Sequence, residues 1–388
     1  MQATLTANRP RVHSVDLLRG AVMVLMALDH VRDYFSDTAF APTDLTQTTP
    51  ALFFTRWVTH FCAPVFVFLA GTGVYLSAAR GKTKRELSQF LVTRGFWLVI
   101  LEPTVIRFGW AFDLNFGSFF LGVIWAIGWS MIALAGLIYL PRWVVALVGV
   151  GMIATHNLLD GITPEQLGVW EGLWKVLHLQ AIVEPMPSHQ LFVMYPLIPW
   201  IGVLATGYAF GGMLQGDAAQ RRRRLMTVGL TITILFVVLR AINMYGDPSP
   251  WSSQKDAMFT FLSFLNCSKY PPSLSYLLMT LGPAIAAMAL FDRPMGTIGR
   301  ILTVFGRVPM FYYVLHLYFI HLLAMVVAFA TYGREASKIS MMSIPEDYGY
   351  RLPTVYLVWI GVVTALYFPC QWFAGVKQRR RDWWLSYL

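Results

Sequence analysis

The chain has 388 residues, 56% hydrophobic and only 13% charged, with a formal net charge of +10. Soluble domains carry about 25% charged residues, so a soluble enzyme or soluble binding module is excluded, and the apolar runs reach the ~20 residues that a membrane span needs. Net positive charge can signal nucleic acid, but in a membrane protein it is first expected from Lys and Arg held on the cytoplasmic side.

In chain order the apolar runs place spans near 14–36, 53–79, 91–108, 117–140, 143–158, 191–213, 225–243, 273–292, 305–330 and 354–374. The expected fold is all-α, a polytopic membrane helix bundle of about ten spans. Residues 1–13 form an N-terminal cytoplasmic segment, 14–374 the membrane domain and 375–388 a basic cytoplasmic tail. The first run carries Asp16, Arg19, Asp29 and His30, which suits a retained span better than a cleaved signal peptide.

Alternation of the spans puts Arg9, Arg11, Arg80, Lys82, Lys84, Arg85, Arg142, Arg221 to Arg224, Arg293, Arg300, Lys377 and Arg379 to Arg381 on one side. The other side receives only Lys175, Lys255, Lys269, Arg334, Lys338 and Arg351. Both termini are therefore expected in the cytoplasm, and no nucleic-acid partner is needed. The run Arg221 to Arg224 reads as a stop signal that can also attract anionic membrane lipid. The external segments 157–190 and 244–272 mix Trp, Pro and amphipathic stretches and are expected to form short interfacial helices or caps. Cys62, Cys267 and Cys370 are spaced too widely for a zinc motif or a disulfide framework, so no metal is expected.

Ionisable residues within spans are costly, which makes each a functional candidate. Arg19 and His30 are eleven residues apart, so in a helix they share a face about 16 Å apart along the axis, one near each surface. Asp16 stands one turn before Arg19 and can hold its guanidinium. Asp29 points about 100° away from His30 and is expected to pair with another helix. A snorkelling anchor for Arg19 and a plain interhelical contact for His30 are the structural alternatives.

In the second span Arg56 and His60 share a face, and Pro64, four residues on, cannot donate to the His60 carbonyl. The helix should open there, beside a histidine that either lines a site or is satisfied by packing. Glu102 precedes Pro103 and Arg107, and Arg240 sits late in the seventh span. In the ninth span Tyr312 and His316 share a face, accompanied by Arg307 and Tyr313, while His321 points about 140° from His316.

The stretches Ser14 to Gly20, Pro64 to Gly71, Tyr195 to Trp200 and Gly306 to His316 resemble bacterial relatives of heparan-alpha-glucosaminide N-acetyltransferase, within a wider group of transmembrane acyltransferases. The resemblance extends from about residue 10 to 374, and the Arg19 to His30 spacing is similar to a first-span motif of the bacterial O-acyltransferases in that group. It implies an integral enzyme of a bacterial inner membrane that moves an acyl group, acetyl first, from cytoplasmic acyl-CoA to an extracytoplasmic sugar or glycan. No permanently bound cofactor is implied; acetyl-CoA or another acyl-CoA is the co-substrate. The lysosomal members carry their catalytic histidine in the first loop, whereas here 36–52 contains none. The lysosomal mechanism and substrate therefore do not transfer.

The expected catalytic set is His30 with Arg19 and Asp29, and His60 as the alternative base; Arg19, Asp16, Arg56, Arg307, Tyr312 and His316 are candidates for holding acyl-CoA. A base near neutrality suits His30. Arg19 suits the pantetheine amides or a phosphate, and the oxyanion donor is open between Arg56 and a tyrosine of the ninth span. Direct transfer and an acyl-histidine intermediate both fit. An ion-coupled exporter of a small polar or lipid-linked molecule, a haem-binding cytochrome and a lipid-binding scaffold are rival classes, separated by whether CoA is turned over.

Overall fold

The computed structural model describes residues 12–114, 117–186, 189–333, 348–380 and 382–387. Arg9, Arg11, Arg334, Lys338 and Arg381, used above to orient the chain, lie outside the described residues.

Helix α1 (His13–Phe35) is followed by α2 (Pro50–Thr59), α3 (Cys62–Ala78) and α4 (Lys84–Leu101), which passes through a π-helical turn at Glu102–Ile106 into α5 (Arg107–Ala111). Next come β1 (Ser118–Leu121), α6 (Val123–Leu137), α7 (Arg142–Thr155), α8 (Glu171–His178), β2 (Ala181–Met186), β3 (His189–Val193) and α9 (Leu197–Phe210). The chain continues with α10 (Ala218–Ile242), α11 (Ala257–Leu265), α12 (Leu274–Phe291), α13 (Gly296–Arg307), α14 (Pro309–Tyr332) and α15 (Leu352–Arg379).

Among the described residues, 8 helical stretches are long and apolar enough to cross a bilayer. α6 is apolar but shorter. α1 has the length but carries Asp16, Arg19, Asp29, Arg32 and Asp33. The protein is thus a multi-pass, predominantly helical membrane bundle. Several helices start on side-chain caps that satisfy otherwise orphaned amides. Thr49 precedes Pro50, Thr83 and Glu86 form a reciprocal box, and Asp217, Asp256 and Ser273 cap α10, α11 and α12.

The charged helix α1 is the centre of the bundle and touches α2, α3, α12, α13, α14 and α15. Its Val22, Met23, Ala27 and Val31 are buried. Peripheral helices instead expose apolar residues, such as Leu147 of α7, Ile234 of α10 and Leu357 of α15, as helices facing lipid do. One end of the bundle carries Arg80 to Arg85, Arg142, Arg221 to Arg224, Arg293 and Arg300 and is called the basic end; the other, with α8, α11 and the strands, is the loop end.

Two expected spans begin differently. Residues 118–121 and 191–193, placed above at the starts of the fourth and sixth spans, lie in strands, as do 181–186 and 189–190 of the external segment: β1 pairs parallel with β3, and β2 antiparallel with it, in the order β1-β3-β2. The aromatic run Phe119-Phe120-Leu121 between Gly117 and Gly122 favours this pleated form over a helical start. The ninth span is also divided, because Pro309 has no amide to continue α13 and instead opens α14 at its first position. α13 then crosses α1 at two glycines: a Cβ on Gly20 would collide with the Leu302 carbonyl, and one on Gly306 with the Asp16 carbonyl.

Candidate functional site

The i, i+3 spacing of Asp16 and Arg19 becomes an ion pair, Arg19 Nη2 to Asp16 Oδ1 at 2.5 Å. Arg19 Nε also donates to the Gly306 carbonyl at 2.6 Å, which the close α1 to α13 crossing brings within reach. The guanidinium is therefore fixed at the wall of a cavity of about 280 Å³ near the basic end. Phe90 and Arg94 of α4, Met131 of α6 and Tyr313 of α14 also line it.

A second cavity of about 150 Å³ opens near the loop end and is lined by Asp29, His30, Asp33, Arg56, Glu102, Trp110, Tyr195, Lys269 and Tyr270 among others. Phe66, Val123 and Tyr313 line both cavities. Arg19 and His30, on one face of α1, thus reach two chambers that share a wall.

Around the outer chamber α1 carries a chain of alternating charge. Asp29 accepts from Arg56 Nη1 (2.6 Å to Oδ1) and from the Thr59 hydroxyl (2.9 Å), both on α2, and pairs with Arg32 Nη1 at 2.9 Å. Arg32 Nη2 donates to Asp33 Oδ1 at 2.5 Å, and Asp33 Oδ2 lies 3.7 Å from His30 Nδ1. Buried charges persist only when paired in this way. The His30 ring meets Trp110 edge-on at 4.7 Å and lies 5.1 Å from the His316 ring. His316 Nδ1 donates to the Tyr312 carbonyl at 2.9 Å, which leaves Nε2 as the acceptor of the neutral ring.

His60 stands apart. It caps the end of α2, and its carbonyl, which Pro64 deprives of an amide partner, accepts from the Tyr276 hydroxyl at 2.8 Å. Its ring is buried 5.5 Å from that of Tyr276 and is absent from the outer chamber's wall, where its neighbours Thr59 and Cys62 appear. Tyr312 stacks on His316 at 5.1 Å, behind the wall formed by Tyr313. Arg307 lines a different crevice and not the Arg19 chamber.

Several chamber residues were not singled out from the sequence. Asp33 and Arg32 were legible, since the i, i+3 rule that pairs Asp16 with Arg19 also pairs His30 with Asp33 and Asp29 with Arg32. Arg94, Lys269 and Tyr270 come from distant segments, and no local pattern marks them. Glu102 does carry a signal, an acid before proline inside a span; its Oε2 accepts from the Trp125 amide at 2.9 Å and ties the start of α6 to the π-helical turn. Among the described residues no group of three or more His, Cys, Asp or Glu could hold a metal ion.

The family model for the catalytic domain of heparan-alpha-glucosaminide N-acetyltransferase matches residues 11–245, more than half of the chain. No curated protein matches it. The match runs from the start of α1 beyond α10 and includes Arg19, His30, Asp33, Arg56, Arg94 and Glu102. The chain belongs to the heparan-alpha-glucosaminide N-acetyltransferase catalytic family and is a transmembrane acetyltransferase.

Proposed function

We propose that this protein takes an acyl group, acetyl first, from acyl-CoA at the basic end and gives it to a sugar or glycan bound at the loop end. The basic end faces the cytoplasm of a bacterial inner membrane, in keeping with the distribution of Lys and Arg. The observation that carries the reading is the pair of chambers with Arg19 in one, His30 in the other, and Phe66, Val123 and Tyr313 common to both.

The inner chamber is narrow and mainly apolar, which suits a pantetheine arm, and Arg19 and Arg94 at its wall suit amide oxygens or a phosphate. The thioester then reaches the shared wall. In the outer chamber His30 takes the proton from an acceptor hydroxyl or amine as that atom's lone pair attacks the thioester carbonyl carbon. Asp33, one turn along α1, orients the imidazole and offsets the positive charge it acquires. Arg56 or Tyr313 donates to the tetrahedral oxyanion. Collapse breaks the C–S bond, and the CoA thiolate takes up the proton held by His30.

Asp29 in this scheme is a positioning residue, holding Arg56 and Arg32. Asp16 does the same for Arg19. His316 packs against the His30 ring from behind the chamber walls. Acyl-histidine formation on His30 uses the same geometry; labelled acyl group retained on the protein without acceptor would distinguish it from direct transfer.

The test uses proteoliposomes of known orientation. Acetyl-CoA supplied only on the basic side should release CoA, and supplied only on the loop side should not. Equal release from either side, or movement of a solute with no CoA release, would overturn the reading, the latter in favour of an exporter.

A further inference from the structure

A crevice of about 1260 Å³ opens at the basic end along α13, and none of its lining residues is shared with the Arg19 chamber. α1, α12 and α15 form its other walls. The charge left without a counter-ion in it is of one sign: Arg293, Arg300 and Arg307 line it with no carboxylate paired to any of them among the described residues. Asp292, the acidic residue in the wall, is held by Arg221 through contacts of 2.9 to 3.0 Å. Arg300 and Arg307 are seven residues apart, so they share a face of α13, and Arg307 Nε is buried with no hydrogen-bond partner among the described residues. The rest of the wall is mainly apolar, through Leu17, Ile301, Val304, Val363 and Phe368, and reaches the outer surface of the bundle, where Phe368 is 65% exposed.

We propose that this crevice is a binding site for an anionic phospholipid. Its phosphate sits among Arg293, Arg300 and Arg307, and its acyl chains lie along Ile301, Val363 and Phe368. A free phosphate or nucleotide would use the arginines but gain nothing from an apolar wall that opens sideways. A zwitterionic lipid would use the wall but carries no net charge to offset three guanidiniums that have no counter-ion among the described residues. Basic pockets between spanning helices at the cytoplasmic surface suit anionic headgroups for this reason. The inference rests on the membrane setting alone and is independent of the acyl-transfer chemistry.

Native mass spectrometry of the full chain, released from mixed phosphatidylglycerol and phosphatidylcholine, tests it. The wild type should retain phosphatidylglycerol preferentially. The pair Arg300→Gln and Arg307→Gln should cut that preference roughly tenfold or more, at about 1 kcal/mol per basic residue near a surface. Arg80→Gln with Arg85→Gln, at the same end but outside the crevice, should leave it intact. Val363→Trp, which fills the apolar wall without touching charge, should lower retention of the same lipid, and it serves if the arginine pair fails to fold. Equal retention of both lipids by the wild type, or an equal loss in the Arg80 and Arg85 control, overturns the proposal. So does displacement of the lipid by millimolar inorganic phosphate or by adenosine 3′,5′-bisphosphate, which would mark a phosphate or nucleotide site instead.

Discussion

His30 and Asp33 stand one turn apart on α1, with Nδ1 3.7 Å from Oδ2, and both line the outer chamber. Asp33 is itself held by Arg32 and, through Asp29, by Arg56 of α2. The imidazole is thus backed by a charge network that spans two helices.

Asp33→Asn keeps the shape of that network but removes the negative charge that faces the imidazole while it carries the acceptor's proton. We expect kcat for CoA release to fall roughly a hundredfold, at the lower end of what positioned acid–base groups contribute, with KM for acyl-CoA little changed. Unchanged kcat would remove Asp33 from the mechanism.

Arg94 is tested by the opposite kinetic signature. It lines the inner chamber, away from His30, so Arg94→Gln should raise KM for acyl-CoA several-fold while kcat holds. A fall in kcat at constant KM would place it with the reacting atoms.

The Asp29 to Arg56 pair predicts a stability cycle. Both side chains are largely buried, 12% and 16% exposed, and removing one partner of a buried pair costs about 3–5 kcal/mol. Arg56→Met alone should lower the thermal midpoint in detergent more than the double variant Asp29→Asn with Arg56→Met. Strict additivity would show that the two are not energetically coupled.

Gly306→Ala probes the α1 to α13 crossing. The new methyl group would meet the Asp16 carbonyl, and forcing helices apart costs about 1–3 kcal/mol. The same shift removes the Gly306 carbonyl from Arg19, so the melting temperature and acyl-CoA affinity should fall together. Loss of one without the other would contradict that linkage.

At the loop end, burial raises the affinity of Asp160 for a proton, but hydrogen bonds from His178 and Asn157 outweigh it and hold the carboxyl below its usual range. A lowered folded-state value stabilises above the unfolded value of ~3.9, and that contribution is lost as pH falls through the folded one. Trp174, 4.9 Å from the His178 ring, should report loosening of this cap in acid. Asp160→Asn should lack that acid transition; the same transition in both proteins would contradict the assignment.

What was legible in advance came from helical period. The Arg19 to His30 face, the Asp16 clamp, the outward pairing of Asp29 and the opened carbonyl at His60 all follow from rules that act within a turn or two. The shared wall of Phe66, Val123 and Tyr313 did not, because it joins three helices whose packing no local pattern encodes. Arg307 illustrates the boundary: Pro309 marks the break beside it, but only the crossing at Gly20 and Gly306 decides that it faces the crevice and not the Arg19 chamber.

Removal of the acceptor's proton by His30 is tested by CoA release from purified His30→Ala supplied with acetyl-CoA and acceptor. The variant should lose roughly a hundredfold or more in kcat while keeping a native melting profile and acyl-CoA binding. Full activity in His30→Ala would contradict it, and a comparable loss in His60→Ala without unfolding would transfer the role to His60.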